Sequence, residues 1–289
     1  MARERPTRFF LDTHEWDFLV DGHWSLTVEQ ADELRQHLIA QAQRRQPIVC
    51  GSVSLLQEIL PLRAKRLAFY NKIVSLMFDL IGPNWLKPLN QMYVAEALNG
   101  GLLTGQAPFL PLHTRRDMRR LAATPADVEA VAEETRRGRE RFVEDQAQTQ
   151  ASVKARLTEA ADGEPPDTVR LIRRWWENLD IADWVRDATQ AGVDRGHIPP
   201  ERFPEVIGPD TMPTGWHFMA FKLARIKMNL GEGEKVKASD YTDAEHYASA
   251  VYTDVLVTED QRFTKTADLL ADGRPFIIET FEQFAHRFV

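Results

Sequence analysis

The sequence predicts an α/β protein whose parallel sheet is interrupted by a long helical insertion. Two short apolar segments, Phe9–Asp12 and Val255–Thr258, have the composition of buried strands, and each is closed or followed by an acidic residue. A helix-forming segment separates the first strand from a second one at 47–53, and strand–helix–strand order favours parallel pairing. The middle of the chain is instead charged and helix-forming. We therefore expect an α/β core at 1–112 and 214–289, with an all-helical insertion at 113–213.

The composition is typical of an ordinary globular protein, with 43% hydrophobic and 27% charged residues in a chain of 289. The net charge of −7 counts against a protein that binds nucleic acid mainly through the phosphate backbone. It counts less against a nuclease, because a catalytic carboxylate cluster adds negative charge itself. The single cysteine, Cys50, excludes an intrachain disulfide and a cysteine zinc site. No apolar run approaches a membrane span and no secretory signal is recognisable, so we expect a cytoplasmic protein without a membrane partner.

Several helices can be assigned from local signals. Thr27 and Gln30 have capping-box spacing ahead of a helix, and Ser54 is the expected cap of the next one. Longer helices are predicted at about 64–81, 125–161, 168–190 and 214–230, and the chain closes with a strand at 275–279 and a helix at 280–288. In the insertion, a cluster of basic residues is interleaved with acids. A solvated helix face is expected there, and a phosphate-contacting arm is the alternative. The cluster comprises Arg136, Arg137, Arg139 and Arg141.

Four carboxylates are expected at the carboxyl edge of the sheet, where open parallel sheets bind ligands. They are Asp12, Glu58, Asp243 and Asp260. Each stands at a strand end or in the first turns of a predicted helix. Two unit charges about 4 Å apart repel by about 4 kcal/mol at an effective dielectric of 20, so the group favours a hard divalent cation. Mg²⁺ prefers oxygen ligands, and it supports attack of water on a phosphodiester.

Each of these acids also has a purely structural interpretation. Asp12 and Asp260 suit helix caps, and Asp243 suits a helix N-terminus. Glu58 suits a solvent-facing helical position, in which case Glu96 is the next ligand candidate.

Three neighbouring residues are candidates for a supporting role. His246 lies on the same helical face as Asp243, and we expect a structural hydrogen bond from it, with support of a carboxylate as the alternative. Asp240 is the expected helix cap and a lesser ligand candidate. Thr258 is placed to hydrogen-bond a ligating carboxylate.

The spacing Asp243-x-x-His246, followed by D-V-L-V-T-x-D ending at Asp260, resembles the C-terminal signature of PIN-domain nucleases. The strand ending in Asp12 is similar to the first motif of that family, and the segment 48–59, with Glu58, resembles its second. The final strand and helix are similar to its closing unit. The resemblance covers roughly the first 60 and the last 60 residues, and the large insertion departs from compact family members.

The resemblance implies a three-layer α/β/α fold around a central five-stranded parallel sheet. It also implies a Mg²⁺ or Mn²⁺ site made by the four carboxylates and hydrolysis of single-stranded nucleic acid, usually RNA, with a 5′-phosphate product. An endoribonuclease acting as a toxin, an RNA-processing enzyme or a defence effector is expected. A protein partner such as an antitoxin and a homodimer are both compatible with it. The helix that leads into the acidic stretch supplies the expected RNA contacts, Lys222, Arg225 and Lys227.

Two other functions remain open from the sequence. One is a PIN-like interaction module without catalysis, and the other is a nuclease that acts on DNA. A phosphatase-like Mg²⁺ hydrolase is disfavoured, because its nucleophilic aspartate would be followed two residues later by another aspartate, whereas His14 stands there.

Overall fold

The structure, a computed structural model, describes residues 6–44, 48–159 and 168–289. Four strands form one parallel sheet in the order β2-β1-β3-β4. They are β1 (Phe9–Leu11), β2 (Val49–Cys50), β3 (Val255–Val257) and β4 (Ile277–Glu279). The strand β1 is central, with Phe10 opposite Cys50 on one side and Leu256 on the other. The predicted α/β class with a parallel sheet is confirmed.

The expected fifth strand is not present in the described residues. Beside β2 the chain makes only an isolated bridge between Gly51 and Trp85. Pro83 and Pro88 flank this segment, and proline cannot donate a ladder hydrogen bond. A longer strand is therefore not supported at this edge of the sheet.

The helices cover both faces of the sheet and form most of the described insertion, whose residues 195–212 make turns and the 3₁₀ turn Pro200–Arg202. Before the insertion they are α1 (Thr13–Asp21), α2 (Val28–Gln43), α3 (Val53–Ile59), α4 (Leu62–Lys65), α5 (Leu67–Ile81) and α6 (Leu89–Asn99). Within it they are α7 (Leu112–Ala123), α8 (Pro125–Glu159), α9 (Thr168–Glu177) and α10 (Ile181–Asp194). After it come α11 (Pro213–Glu232), α12 (Ser239–Ser249), α13 (Gln261–Asp268) and α14 (Phe281–Ala285).

The sheet separates two hydrophobic cores. Side chains of a strand alternate between faces, so Phe9 and Leu11 pack with helices α1, α2, α5 and α14, while Phe10 packs with α11, α12 and α13. A parallel sheet buried on both faces needs apolar residues at successive positions, as β1 and β3 show. This arrangement leaves the strand ends as the places where polar side chains can gather.

The helix boundaries confirm some predictions and correct others. The Thr27–Gln30 capping box is present with both of its hydrogen bonds. The cap of α3 is Ser52 rather than Ser54, because the Ser52 hydroxyl accepts the Leu55 amide at 3.2 Å. The helix predicted at 168–190 is two helices, since Asp180 caps α10.

The start of α12 also differs from the prediction. This helix begins at Ser239, so Asp243 is its fifth residue and lies in the second turn. Asp240 is inside the helix rather than its cap, and its side chain accepts the Lys237 amide at 2.9 Å.

Besides α9 and α10, which pack on α11, the insertion contacts the α/β core through α8. One stripe of this helix faces inward, and its members Phe142, Gln146 and Val153 are buried. The residues between α8 and α9 that carry the end of the helix predicted at 125–161 lie outside the described part of the chain. No described helix is long and apolar enough to cross a membrane.

Candidate functional site

Asp12 connects three elements at the end of the central strand. As the N-cap of α1, its Oδ1 accepts the Thr13 amide at 2.7 Å and lies 2.8 Å from His246 Nδ1. Its Oδ2 accepts the Thr258 hydroxyl at 2.9 Å. Burial alone would raise the pKa of Asp12, but His246 and these donors lower it. Asp12 is therefore an ionised carboxylate. It follows the carboxyl end of β1, whose neighbours β2 and β3 lie on opposite sides of it, and ligands of open parallel sheets bind at such positions.

His246 is a buried partner of this carboxylate. Burial would lower its pKa, but the hydrogen bond and charge of Asp12, with the charges of Glu58 and Asp243, raise the pKa to about 9. Its Nε2 lies 3.7 Å from Glu58 Oε2 and has no hydrogen-bond partner among the described residues. The structure thus shows a hydrogen bond from His246 to a candidate ligand.

Glu58 points into the site and not to solvent. Its Oε2 accepts the Thr13 hydroxyl, and its Oε1 accepts Arg139 Nη2 at 3.2 Å. Arg139 comes from α8, so the insertion contributes directly to this cluster. Glu96, the alternative ligand candidate, lies in α6 and bonds instead to Thr214 and Tyr252.

Asp12, Glu58 and His246 could hold a metal ion, because one candidate ligand atom from each lies within 4.8 Å of the others. The two carboxylates offer the oxygen ligands that Mg²⁺ or Mn²⁺ prefers. His246 would have to lose its proton before it could ligate a metal, so it fits better as a hydrogen-bond partner that orients Asp12. The donor set is compatible with a divalent cation and does not identify one.

Asp243 faces the same cluster but is bound to an arginine. Its Oδ2 lies 2.8 Å from Nη2 of Arg225, which is fully buried. Burial raises the pKa of Asp243; Arg225 opposes the rise, and the charges of Asp12 and Asp260 add to it. Asp240 is buried beside this pair, 3.4 Å from Arg225 Nε.

Asp260 is the N-cap of α13, and its Oδ1 accepts the Phe263 amide at 2.8 Å. Its own amide donates to the Thr258 hydroxyl at 3.1 Å, and that hydroxyl donates to Asp12. Thr258 therefore connects the Asp12 carboxylate to the backbone of Asp260. Asp260 therefore caps a helix, as its sequence position suggested. It is also linked through Thr258 to Asp12, a proposed ligand.

Glu15 is a buried acid that the sequence analysis missed. It lies one helical turn after Asp12, and its Oε1 accepts the Glu259 amide at 2.8 Å. Burial and the charge of Asp12 raise its pKa well above the usual range. Its position could have been predicted from the sequence, because an acid three residues after the N-cap of a helix lies close to that cap.

Of the predicted basic residues of α11, Arg225 is buried, and Lys222 and Lys227 are half-buried. Arg225 faces the acidic cluster, so it does not form an exposed nucleic-acid contact in this structure. Lys222 lies 5.0 Å from the centre of the Phe142 ring, and Lys227 lies 4.7 Å from that of Trp176. These lysines join α11 to the insertion through cation–π contacts.

The side chains supply much of the positive charge that the carboxylates need. His246 pairs with Asp12, Arg139 with Glu58, and Arg225 with Asp243. Repulsion among the acids is therefore offset within the protein, and it is a weaker argument for a metal than the sequence alone suggested.

Comparisons with family models, curated proteins and solved structures found no match for this chain. The resemblance to PIN-domain nucleases thus rests on the motifs alone.

Proposed function

We propose that the protein is a PIN-like, metal-dependent nuclease that hydrolyses phosphodiester bonds of single-stranded RNA. The observation that carries this proposal is the grouping of Asp12, Glu58 and His246 within 4.8 Å at the carboxyl edge of the parallel sheet. Asp243 and Asp260 lie close enough to interact electrostatically with each other, and Asp243 also interacts with Asp12. An enzyme of this type would act in the cytoplasm in RNA processing, defence, or a toxin–antitoxin pair.

The residues around Asp12 have defined parts in the proposed chemistry, and Asp260 contributes a negative charge that acts on Asp243. Asp12 and Glu58 would hold Mg²⁺ or Mn²⁺, and the bound ion would activate a water molecule and screen the phosphate charge. His246 and Thr258 fix the two oxygens of Asp12, and Thr13 fixes Glu58. Asp243, paired with Arg225, adds a further carboxylate to the site, and burial raises its pKa.

A second candidate function is a PIN-like interaction module without catalysis. It is favoured by the ion pairs Arg139–Glu58 and Arg225–Asp243. In these pairs, arginine side chains of the protein itself neutralise two of the four carboxylates.

The deciding experiment incubates labelled single-stranded RNA, single-stranded DNA and duplex DNA with the protein in Mn²⁺, Mg²⁺ or EDTA. We expect metal-dependent cleavage of RNA, leaving 5′-phosphates. Asp12→Asn and Asp260→Asn should each lower the rate by roughly a hundredfold or more, because each removes a charge from the site. Asparagine is also a good N-cap, so Asp260→Asn should preserve α13.

Asp180→Asn is a matched control, since Asp180 is also an N-cap and accepts the Ala182 amide of α10 at 2.9 Å. It should leave the rate unchanged. Cleavage that survives EDTA, or that persists in Asp12→Asn, would rule out the metal–carboxylate mechanism. Absence of cleavage on all substrates would favour the interaction module, and preferential cleavage of DNA would change the substrate class.

A further inference from the structure

Arg139 differs from the other arginines of its cluster. Arg136 and Arg137 pair with Glu133 on the same helix, and their side chains are 57% and 63% exposed. Arg139 turns toward the core, is 23% exposed, and bonds a candidate metal ligand, Glu58, 81 residues away in sequence. The solvated face predicted for this cluster therefore does not extend to Arg139.

The position of Arg139 is determined by contacts further along α8. The Phe142 ring packs 4.9 Å from that of Tyr241 in α12. Gln146 Nε2 donates to the Lys222 carbonyl at 3.3 Å, and Gln150 Nε2 donates to that of Glu234 at 3.1 Å. These contacts hold three successive turns of α8 against α12, α11 and the segment that follows α11.

Arg139 retains unused hydrogen-bonding capacity. A guanidinium group has five N–H donors. Among the described residues Arg139 makes one hydrogen bond, and its Nε is buried without a partner. The side chain is 23% exposed and lines a cleft of about 730 Å³ together with Pro61, Glu133 and Glu140, so a ligand could reach the exposed part of the guanidinium group.

The two carboxylate oxygens of Glu58 lie near different partners. Arg139 bonds Oε1, whereas Oε2 is the oxygen 3.7 Å from His246 Nε2. Ligation through Oε2 is therefore compatible with the Arg139 bond. The guanidinium group therefore lies against a proposed ligand of the cation, and its positive charge and unused donors suit a phosphate bound near that cation.

We propose that Arg139 of the insertion is a phosphate-binding residue of this site and receives a backbone phosphate of the RNA substrate. The inference rests on the proposed nuclease function. It assigns the insertion a direct part in substrate binding, through one arginine.

The test measures fluorescence anisotropy of a labelled single-stranded RNA oligonucleotide in Mn²⁺, in the Asp260→Asn background to prevent turnover. We expect Arg139→Ala to weaken binding by about ten- to a hundredfold, as loss of a hydrogen bond to a charged group should. Arg139→Lys should lose less, and the exposed neighbour Arg137→Ala should stay within about twofold. The slope of log affinity against log salt should fall by about 0.7 for Arg139→Ala, the value for one phosphate contact on a single strand.

Calorimetric Mn²⁺ titration and thermal melting accompany each variant. The proposal expects Arg139→Ala to remain folded and to bind Mn²⁺ at least as tightly as its parent. Tighter RNA binding and faster cleavage in Arg139→Ala, made in the otherwise unsubstituted protein, would show an inhibitory contact instead. Loss of Mn²⁺ affinity together with RNA affinity would show that Arg139 only positions Glu58.

Either of those results overturns the Arg139 proposal and leaves the nuclease proposal standing. Unchanged RNA affinity in Arg139→Ala would do the same. If the unsubstituted protein binds neither Mn²⁺ nor RNA, both proposals fail.

Discussion

Glu96 is a carboxyl group held entirely inside the protein. Its Oε1 accepts the Tyr252 hydroxyl at 2.7 Å, and the Thr214 amide lies 3.1 Å from Oε2. Burial raises its pKa to about 7, although these hydrogen bonds oppose the rise. The residue joins α6 to α11 and to the 3₁₀ turn Ala250–Tyr252, which is a structural role.

Glu96 should make the protein less stable as the pH rises from about 5 to 7. In this window the unfolded chain has released the proton while the folded chain still holds it, so the free energy of unfolding falls. The loss is at most about 3 kcal/mol, since one pKa unit corresponds to about 1.4 kcal/mol. Urea unfolding of wild type and Glu96→Gln at pH 5, 6 and 7, in EDTA, measures it. Parallel pH curves for the two proteins would contradict this assignment.

The candidate acids could be predicted from sequence because each follows a local signal, whereas their partners could not. Asp12 and Asp260 stand at strand ends, and Asp243 lies three residues before His246. The pairing of Arg139 with Glu58 joins residues 81 positions apart. That contact depends on how α8 packs, and in the sequence Arg139 looks the same as its solvent-exposed neighbours.

At the scale of elements, α3 illustrates how a helix cap and a proposed metal ligand are connected. Ser52 caps this short helix at its N-terminus, and Glu58 lies near its other end. The cap therefore determines where the Glu58 carboxylate is presented.

Ser52→Ala should cost about 1 kcal/mol of stability, as should Thr27→Ala in α2, because each removes an N-cap hydroxyl. Only Ser52→Ala should also weaken Mn²⁺ binding, since α2 carries none of the proposed ligands. Chemical denaturation and calorimetric titration of both variants test this pair. Equal loss of Mn²⁺ affinity in Thr27→Ala would show that the effect is general destabilisation.

Element boundaries were predictable where the signal is local. The Thr27 capping box required only residues three positions apart, and the structure contains it. The break between α9 and α10 has no proline or glycine to mark it, and there Asp180 caps the second helix. The missing fifth strand had been implied by resemblance, and proline on both sides of Trp85 was the local evidence against it.

At the scale of the molecule, the insertion and the α/β core are joined at the acidic site. Helix α8 contacts α3, α11 and α12, which carry Glu58, Arg225 and Asp243. A ligand that stabilises this cluster should therefore stabilise the whole fold.

Mn²⁺ should raise the free energy of unfolding by about 2.7 kcal/mol at a hundredfold excess over its dissociation constant. Asp12→Asn should abolish most of this gain, while Asp180→Asn should keep it. Thermal melts with Mn²⁺ or EDTA measure the difference. A shift of equal size in Asp12→Asn would place the stabilising ion elsewhere on the protein.

The pairing of β1 with β3 also bears on how the chain is synthesised. Arg8 donates its amide to Asp254, 246 residues later, at the start of these strands. A ribosome adding about 5–20 residues per second needs roughly 12–50 s to make the intervening chain. During that time β1 lacks one of its two neighbours, and distant pairings of this kind fold slowly. The nascent protein consequently cannot assemble the acidic cluster, and any hydrolytic activity would begin only after β3 has emerged.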